Sequence, residues 1–136
     1  MEQVTEKVKD FYNRTPFPDF ELSRFNSKED LEKYAFPFAR YLNKVIPKDA
    51  SVIDIGCGTG QLVSLLSLGR KNVVGTDLSD SSLAKAFKLK EKLDLETLRL
   101  FQADIFDMKL KEQFDYVLCL GVLHHTKNAK EGFRKI

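Results

Sequence analysis

The chain of 136 residues has no tryptophan, two cysteines, two histidines and four prolines. Two cysteines, Cys57 and Cys119, cannot staple a disulfide scaffold, and with two histidines they do not make a metal cluster. A reducing compartment, the cytoplasm, is the expected home. No apolar run approaches the roughly 18 residues that cross a bilayer, so no membrane span is expected. The opening residues, MEQVTEKVKD, mix charges and lack the apolar core of a signal peptide. Excess charge of one sign is missing too: 22 Lys and Arg face 20 Asp and Glu, a net +2. That balance excludes a strong global field toward nucleic acid or anionic lipid. What is present is a 43% hydrophobic, 31% charged composition, enough apolar material for one packed domain.

Two segments differ in pattern. Residues 1–48 read as a helical extension or lid. Val4, Val8, Phe11 and Tyr12 recur at helical spacing, and Thr15-Pro16-Phe17-Pro18 ends the pattern, because each proline removes a donor and pushes its predecessor out of the helix. Ser27, with Asp30 three residues on, predicts a capping box for a second helix. Leu31, Tyr34, Phe38, Leu42 and Val45 mark its apolar face, with a kink or a break at Pro37.

Residues 49–136 alternate strand and helix. The expected strands are 51–55, 72–76, 97–102 and 114–120, the last apolar enough for burial on both faces. Helices are expected over 61–68, with Gly69 at its end, from a Ser79 cap to about Leu93, and from near Asn128 onward. This alternation predicts an α/β fold: a doubly wound, mainly parallel, Rossmann-like sheet.

The most specific feature is Asp54-Ile55-Gly56-Cys57-Gly58-Thr59-Gly60, between the first strand and its helix. Glycines let a ligand lie against bare backbone, and the helix start behind them offers unpaired N–H groups. In the dinucleotide fingerprint G-x-G-x-x-G, the third glycine would fall where Gln61 stands. Asp54 ahead of the loop would repel a pyrophosphate and suits a cationic group such as an ammonium. Asp77 follows the second strand, where a carboxylate accepts both hydroxyls of a ribose. Ribose alone does not separate NAD from other adenosyl cofactors; Asp54 and the glycine spacing favour the latter.

With these residues in place, the chain resembles the class I S-adenosylmethionine-dependent methyltransferases over about residues 51–136. Asp54 to Gly60 is similar to the family's E/D-x-G-x-G-x-G motif. Asp77-Leu78-Ser79 resembles its acidic second-strand motif, Ala103-Asp104-Ile105 its adenine-binding segment, and Phe114 to Leu120 with Leu123-His124-His125 its fourth-strand motif. The resemblance implies a cofactor set of Asp54, Gly56, Cys57, Gly58, Gly60, Asp77, Leu78, Asp104, Ile105 and Leu120. It implies S-adenosylmethionine as methyl donor and S-adenosylhomocysteine as product. The acceptor is left open among small molecule, protein and RNA, with a small molecule favoured by the balanced charge and the lack of a nucleic-acid module. The resemblance also implies a seven-stranded sheet, of which this chain supplies strands in the order 3-2-1-4. A chain cut short after strand four is therefore expected, one that binds cofactor while turnover fails. Its unpaired fourth-strand edge would invite a homodimer. A non-catalytic cofactor-binding module is the alternative, and a nicotinamide-dependent oxidoreductase a remote one.

Several residues have plainer readings. His124 and His125 sit where a base would be useful, but adjacent residues point apart, and loop packing is the simpler role. Cys57 reads as a packing residue rather than a nucleophile, and Cys119 as core. Lys85, Lys88, Lys90 and Lys92 read as a solvated helix face, so nucleic acid is not a supported partner. Among Phe11, Tyr12, Phe17, Phe20 and Phe25, Tyr12 is the first candidate for a lid over the site.

Overall fold

A computed structural model of the chain describes residues 3–17, 19–120 and 128–135. The N-terminal segment forms α1 (Gln3–Arg14), a short 3₁₀ turn (Leu22–Arg24), α2 (Lys28–Tyr34) and α3 (Pro37–Val45). Ser27 caps α2 as the sequence predicts. Its hydroxyl accepts the Asp30 N–H, while the Asp30 carboxylate accepts the Ser27 N–H.

The break at Pro37 separates two helices. Ala35 and Phe36 take extended ψ values of 152° and 149°; for Phe36 this is the conformation that a following proline favours. The break re-registers the apolar face. Leu31, Ala35, Ala39 and Ile46 are buried, whereas Tyr34, Phe38 and Val45 are exposed, contrary to the single face expected from their spacing. A similar rotation affects α1: Thr5 is buried, and Val4 and Phe11 are exposed.

The remaining elements are β1 (Val52–Ile55), α4 (Gln61–Leu66), β2 (Val73–Asp77), α5 (Asp80–Leu93), β3 (Leu98–Gln102), β4 (Tyr116–Leu118) and α6 (Ala129–Lys135). The sheet is parallel throughout, in the order β3-β2-β1-β4. β1 and most of β2 are buried residue after residue, as central parallel strands covered on both faces should be. β4 corrects the sequence reading. It is three residues long, and Tyr116 and Val117 are exposed rather than buried on both faces. Its apolar composition suits a central strand, yet among the described residues β1 is its only strand neighbour. α4 also ends earlier than expected, at Leu66.

One large apolar cluster fills the side carrying α4 and α5. Phe25, Leu31, Ala35, Ala39 and Ile46 join Val52, Leu62, Leu65, Val73 and Leu89 in it, so the helical segment and the sheet share a core. A smaller cluster on the other face holds Ile53, Ile55, Val74 and Ile105. Arg70 is buried between the two segments. Its guanidinium donates to the Asn43 side-chain oxygen and to the carbonyls of Asn43, Ile46, Pro47 and Leu66. It thereby satisfies the last carbonyls of α3 and α4, which their own helices leave unpaired.

Candidate cofactor site

Parallel strands end on one side of the sheet, and there the chain gathers its acids. Asp54 lies within β1, Asp77 closes β2, and Asp104 stands two residues beyond β3. Between β1 and α4 the glycine loop turns sharply. Gly56, Gly58 and Gly60 have φ of +83°, +59° and +85°, the left-handed region that favours glycine. Gly60 is doubly constrained. A Cβ there would lie 2.7 Å from the Ala86 Cβ, so its absence lets α5 pack against the start of α4.

The loop is pinned from below and from the side. The N–H groups of Gly56 and Cys57 both donate to the Thr76 carbonyl, at 2.7 and 2.8 Å. Gly58 N–H donates to one Asp77 oxygen and Ser79 N–H to the other, each at 2.8 Å. Each oxygen of that carboxylate has two lone pairs and uses one on these bonds, so the group is oriented and still able to accept. Burial raises the Asp77 pKa against the opposing pull of the Ser79, Gly58 and Leu78 N–H groups. Ser79 has a further task, capping α5 by accepting the Ser82 N–H.

Asp54 is the most unusual group in the site. Its side chain is buried and Oδ1 has no hydrogen-bond partner. Burial first, then the neighbouring Asp77 charge, pushes its pKa up to about 7. A lone carboxylate oxygen in the interior is costly, and an incoming donor or cation relieves that cost. Cys57 is buried against Gly75, with its pKa raised by burial and by Asp54 and Asp77. It is a neutral packing thiol despite its place before a helix start.

The adenine-side residues lie beyond β3. Ala103 N–H donates to the Asp77 carbonyl at 3.0 Å, joining the β3 end to the β2 end. One Asp104 oxygen accepts the Phe106 N–H at 3.0 Å. Asp104, Leu78, Ala103 and Met108 line a cleft of about 420 Å³ that Lys9 of α1 also borders. Ile105 is buried beneath, packed with Ile53 and Val74. Leu120 follows Leu118, the register partner of Asp54, by two residues and is 40% exposed. His124 and His125 lie outside the described residues.

The structure adds contacts that the motifs do not announce. Gln61, at the place of the missing third glycine, accepts the Phe36 N–H through Oε1 and ties the start of α4 to the α2–α3 turn. The Phe17 carbonyl accepts the Thr59 N–H. Asn13 Oδ1 accepts from the Ser79 hydroxyl and the Ser81 N–H. Tyr12 lies beside the site, its pKa raised by burial and then by the Asp77 charge. Three lysines of α5 serve the chain itself: Lys85 pairs with Asp19, Lys90 donates to the Leu95 carbonyl, and Lys92 donates to the Leu22 carbonyl and to Asn26, while Lys88 is exposed.

A methyltransferase-domain family model matches residues 53–136. The chain belongs to the methyltransferase-domain family. It is 34% identical over 131 residues to an uncharacterized protein of Methanocaldococcus jannaschii, covering 92% of this chain and 52% of that one. Among solved structures it is similar to a coclaurine N-methyltransferase bound to N-methylheliamine and SAH, with 28% identity and a TM-score of 0.62. That match covers 70% of this chain and 29% of the other. The fold of a magnesium protoporphyrin IX methyltransferase from Synechocystis PCC 6803 covers 99% of this chain and 71% of its own, with a TM-score of 0.71 and 19% identity. The chain thus spans about half, or less, of the first relatives it matches. In this methyltransferase domain every acid and glycine of the site falls inside the matched span, whereas Tyr12, Asn13 and Phe17 fall before it. No helix among the described residues is long and apolar enough to cross a membrane.

Proposed function

We propose that this chain carries the cofactor half of an S-adenosylmethionine-dependent methyltransferase that acts on a small-molecule acceptor. The observation that carries this reading is the pairing at the strand ends. Asp54 offers a buried oxygen with no partner, beside an Asp77 that is oriented and still able to accept. A dinucleotide's pyrophosphate is the wrong sign for Asp54. An amino acid's ammonium is the right one.

In this reading the unused lone pairs of Asp77 accept the ribose hydroxyls. The backbone of Gly56, Cys57, Gly58 and Gly60 lets the ligand approach closely. Asp104 accepts the adenine amino group, with Leu78 and Ile105 against the ring, and Leu120 lies under the methionyl end. When bound, S-adenosylmethionine supplies a methyl group already activated on a sulfonium, so alignment of the acceptor does much of the work. Residues 49–136 form the cofactor-binding part, and residues 1–48 pack beside it as a helical extension.

A small acceptor is favoured by the balanced charge and by the use of the α5 lysines within the chain. The similar coclaurine enzyme holds a small molecule. The free thiols of Cys57 and Cys119 suit the cytoplasm. The homodimer expected through the β4 edge finds no support in these relatives.

Calorimetric titration tests the proposal. The chain should bind S-adenosylhomocysteine saturably and NAD not at all. Asp77→Ala removes an acceptor of two hydroxyls and should weaken binding roughly 100-fold. Equal affinity for both ligands, or an unchanged Asp77→Ala variant, would reject it.

A further inference from the structure

α1 is a helix of twelve residues with one buried side chain, Thr5. A free helix of that length is marginal in water, so its place depends on what holds it to the domain. The holding contacts are polar and concentrated at its C-terminal end. Asn13 Oδ1 accepts from the Ser79 hydroxyl at 2.8 Å and from the Ser81 N–H at 3.3 Å. The Ser81 hydroxyl donates in return to the Asn13 carbonyl at 2.9 Å. Lys9 reaches Asp80 at 3.6 Å.

Both ends of the following stretch rest on the site. Asn13 sits on the β2–α5 turn that begins at Asp77, and the Phe17 carbonyl receives the Thr59 N–H of the glycine loop. Tyr12 stands beside Asp77. Among the described residues the chain is next anchored at Asp19, which pairs with Lys85, and at Phe20 and Leu22, which pack against the core ahead of the fully buried Phe25. Between Asn13 and these anchors lies Pro16, ahead of which no helix can continue.

A weakly buried helix, a polar fastening and a fixed point behind a proline-bearing connection are the parts of a lid. We propose that α1 is a lid over the adenosyl end of the site, latched by Asn13 on the Ser79–Ser81 turn, and that cofactor exchange requires the latch to open. The inference rests on the cofactor reading above and goes beyond it by assigning the exchange step to particular residues. Ser79 is the shared joint. Its hydroxyl donates to Asn13 while accepting the first turn of α5, and its N–H orients Asp77. Docking of the lid and alignment of the ribose acid therefore meet on one residue. Such an element belongs to the low-stability end of the molecule, where local opening precedes global unfolding.

The test is the release of labelled S-adenosylhomocysteine chased with unlabelled excess, with amide hydrogen exchange of residues 3–14 followed in parallel. Asn13→Ala removes the acceptor of two neutral hydrogen bonds and should speed release about tenfold. The same variant should abolish the extra protection of α1 amides that the ligand confers on the wild type. Asn13→Asp keeps an accepting oxygen at the start of α5 and should restore slow release to within about threefold. A folded Asn13→Ala variant whose release and exchange match the wild type would overturn the latch while leaving the cofactor reading intact. A wild-type chain that does not hold the ligand would remove the cofactor reading itself, and the latch with it.

Discussion

Replacing Asp54 by asparagine should stabilise the ligand-free chain at neutral pH and cripple it as a binding protein. The carboxyl titrates near 3.8 when unfolded and at about 7 when folded. Below about pH 4 it is protonated in both states and costs nothing extra. From there to about pH 7 the folded chain holds a proton that the unfolded chain has shed. Folded stability therefore falls by about 1.4 kcal/mol for each pH unit in that window and levels off above it. Over about three units the loss approaches 4 kcal/mol, a large part of the stability of a domain this size. Asparagine has nearly the same shape and does not titrate. Its own unpaired amide costs the same at every pH and drops out of the comparison. Urea unfolding of wild type and Asp54→Asn at pH 5, 6, 7 and 8 measures the difference directly. The variant should gain on the wild type steadily up to about pH 7 and hold its lead beyond. Titration with S-adenosylhomocysteine should give the opposite ranking. Wild-type affinity should rise with pH as Asp54 becomes able to meet the ammonium, and the variant should bind weakly with little pH dependence. A stability difference that stays flat from pH 5 to 8 would refute the argument, because it would mean that Asp54 is not held protonated by burial.

Two further substitutions probe the frame around the site. Arg70→Ala strips the donor from the buried carbonyls of Asn43, Ile46, Pro47 and Leu66. It should cost about 3–5 kcal/mol by urea denaturation, and Arg70→Lys should recover little, since one ammonium cannot reproduce the planar fork. A loss under about 1 kcal/mol would mean that water replaces the guanidinium. Gly60→Ala combines a positive φ with a 2.7 Å clash on Ala86. It should lower stability by about 2–4 kcal/mol in thermal melts and weaken the cofactor by displacing the loop; an unchanged melt would show that α5 can give way without cost.

The alternating strands and helices were more legible than the N-terminal helical segment. The places of Asp54, the loop glycines and Asp77 could be read from sequence because each is tied to a fixed local structure: a strand, a turn that needs positive φ, a strand end ahead of a helix. β1, β2 and α5 shared that clarity, and Ser79 caps α5 where its position predicts. The misreadings came where tertiary packing overrides periodicity. Val4 and Phe11 carry the hydrophobic signal of α1, yet its inward face runs through Thr5, Tyr12 and Asn13. Tyr34, Phe38 and Val45 share a helical period only if the helix continues past Pro37, which it does not. β4 has the composition of a buried central strand and the exposure of an edge. Composition records the neighbours a strand is suited to, not those the described residues provide. Asn13 and Arg70 were not flagged, and Gln61 was noted only for its place in the glycine pattern, because their main partners lie far away in sequence and no local pattern announces them.

The same few residues set both the shape of the site and the stability of the domain, and the two demands agree at some of them and conflict at another. At Gly60 and Gly75 the two demands agree. The missing Cβ lets α5 approach the glycine loop, and at Gly75 it leaves room for Cys57 and Leu100, so a tightly packed core and an open backbone cradle follow from the same two absences. At Asp54 they conflict, because an acid without a partner in the interior weakens the fold so long as no cation is there to meet it. A sequence selected for stability alone would keep the glycines and lose the acid. Asp54 therefore argues for a ligand more strongly than the glycine loop does. The loop is explained by packing whether or not anything binds, whereas the buried carboxylate has no structural use that asparagine or threonine would not serve at lower cost.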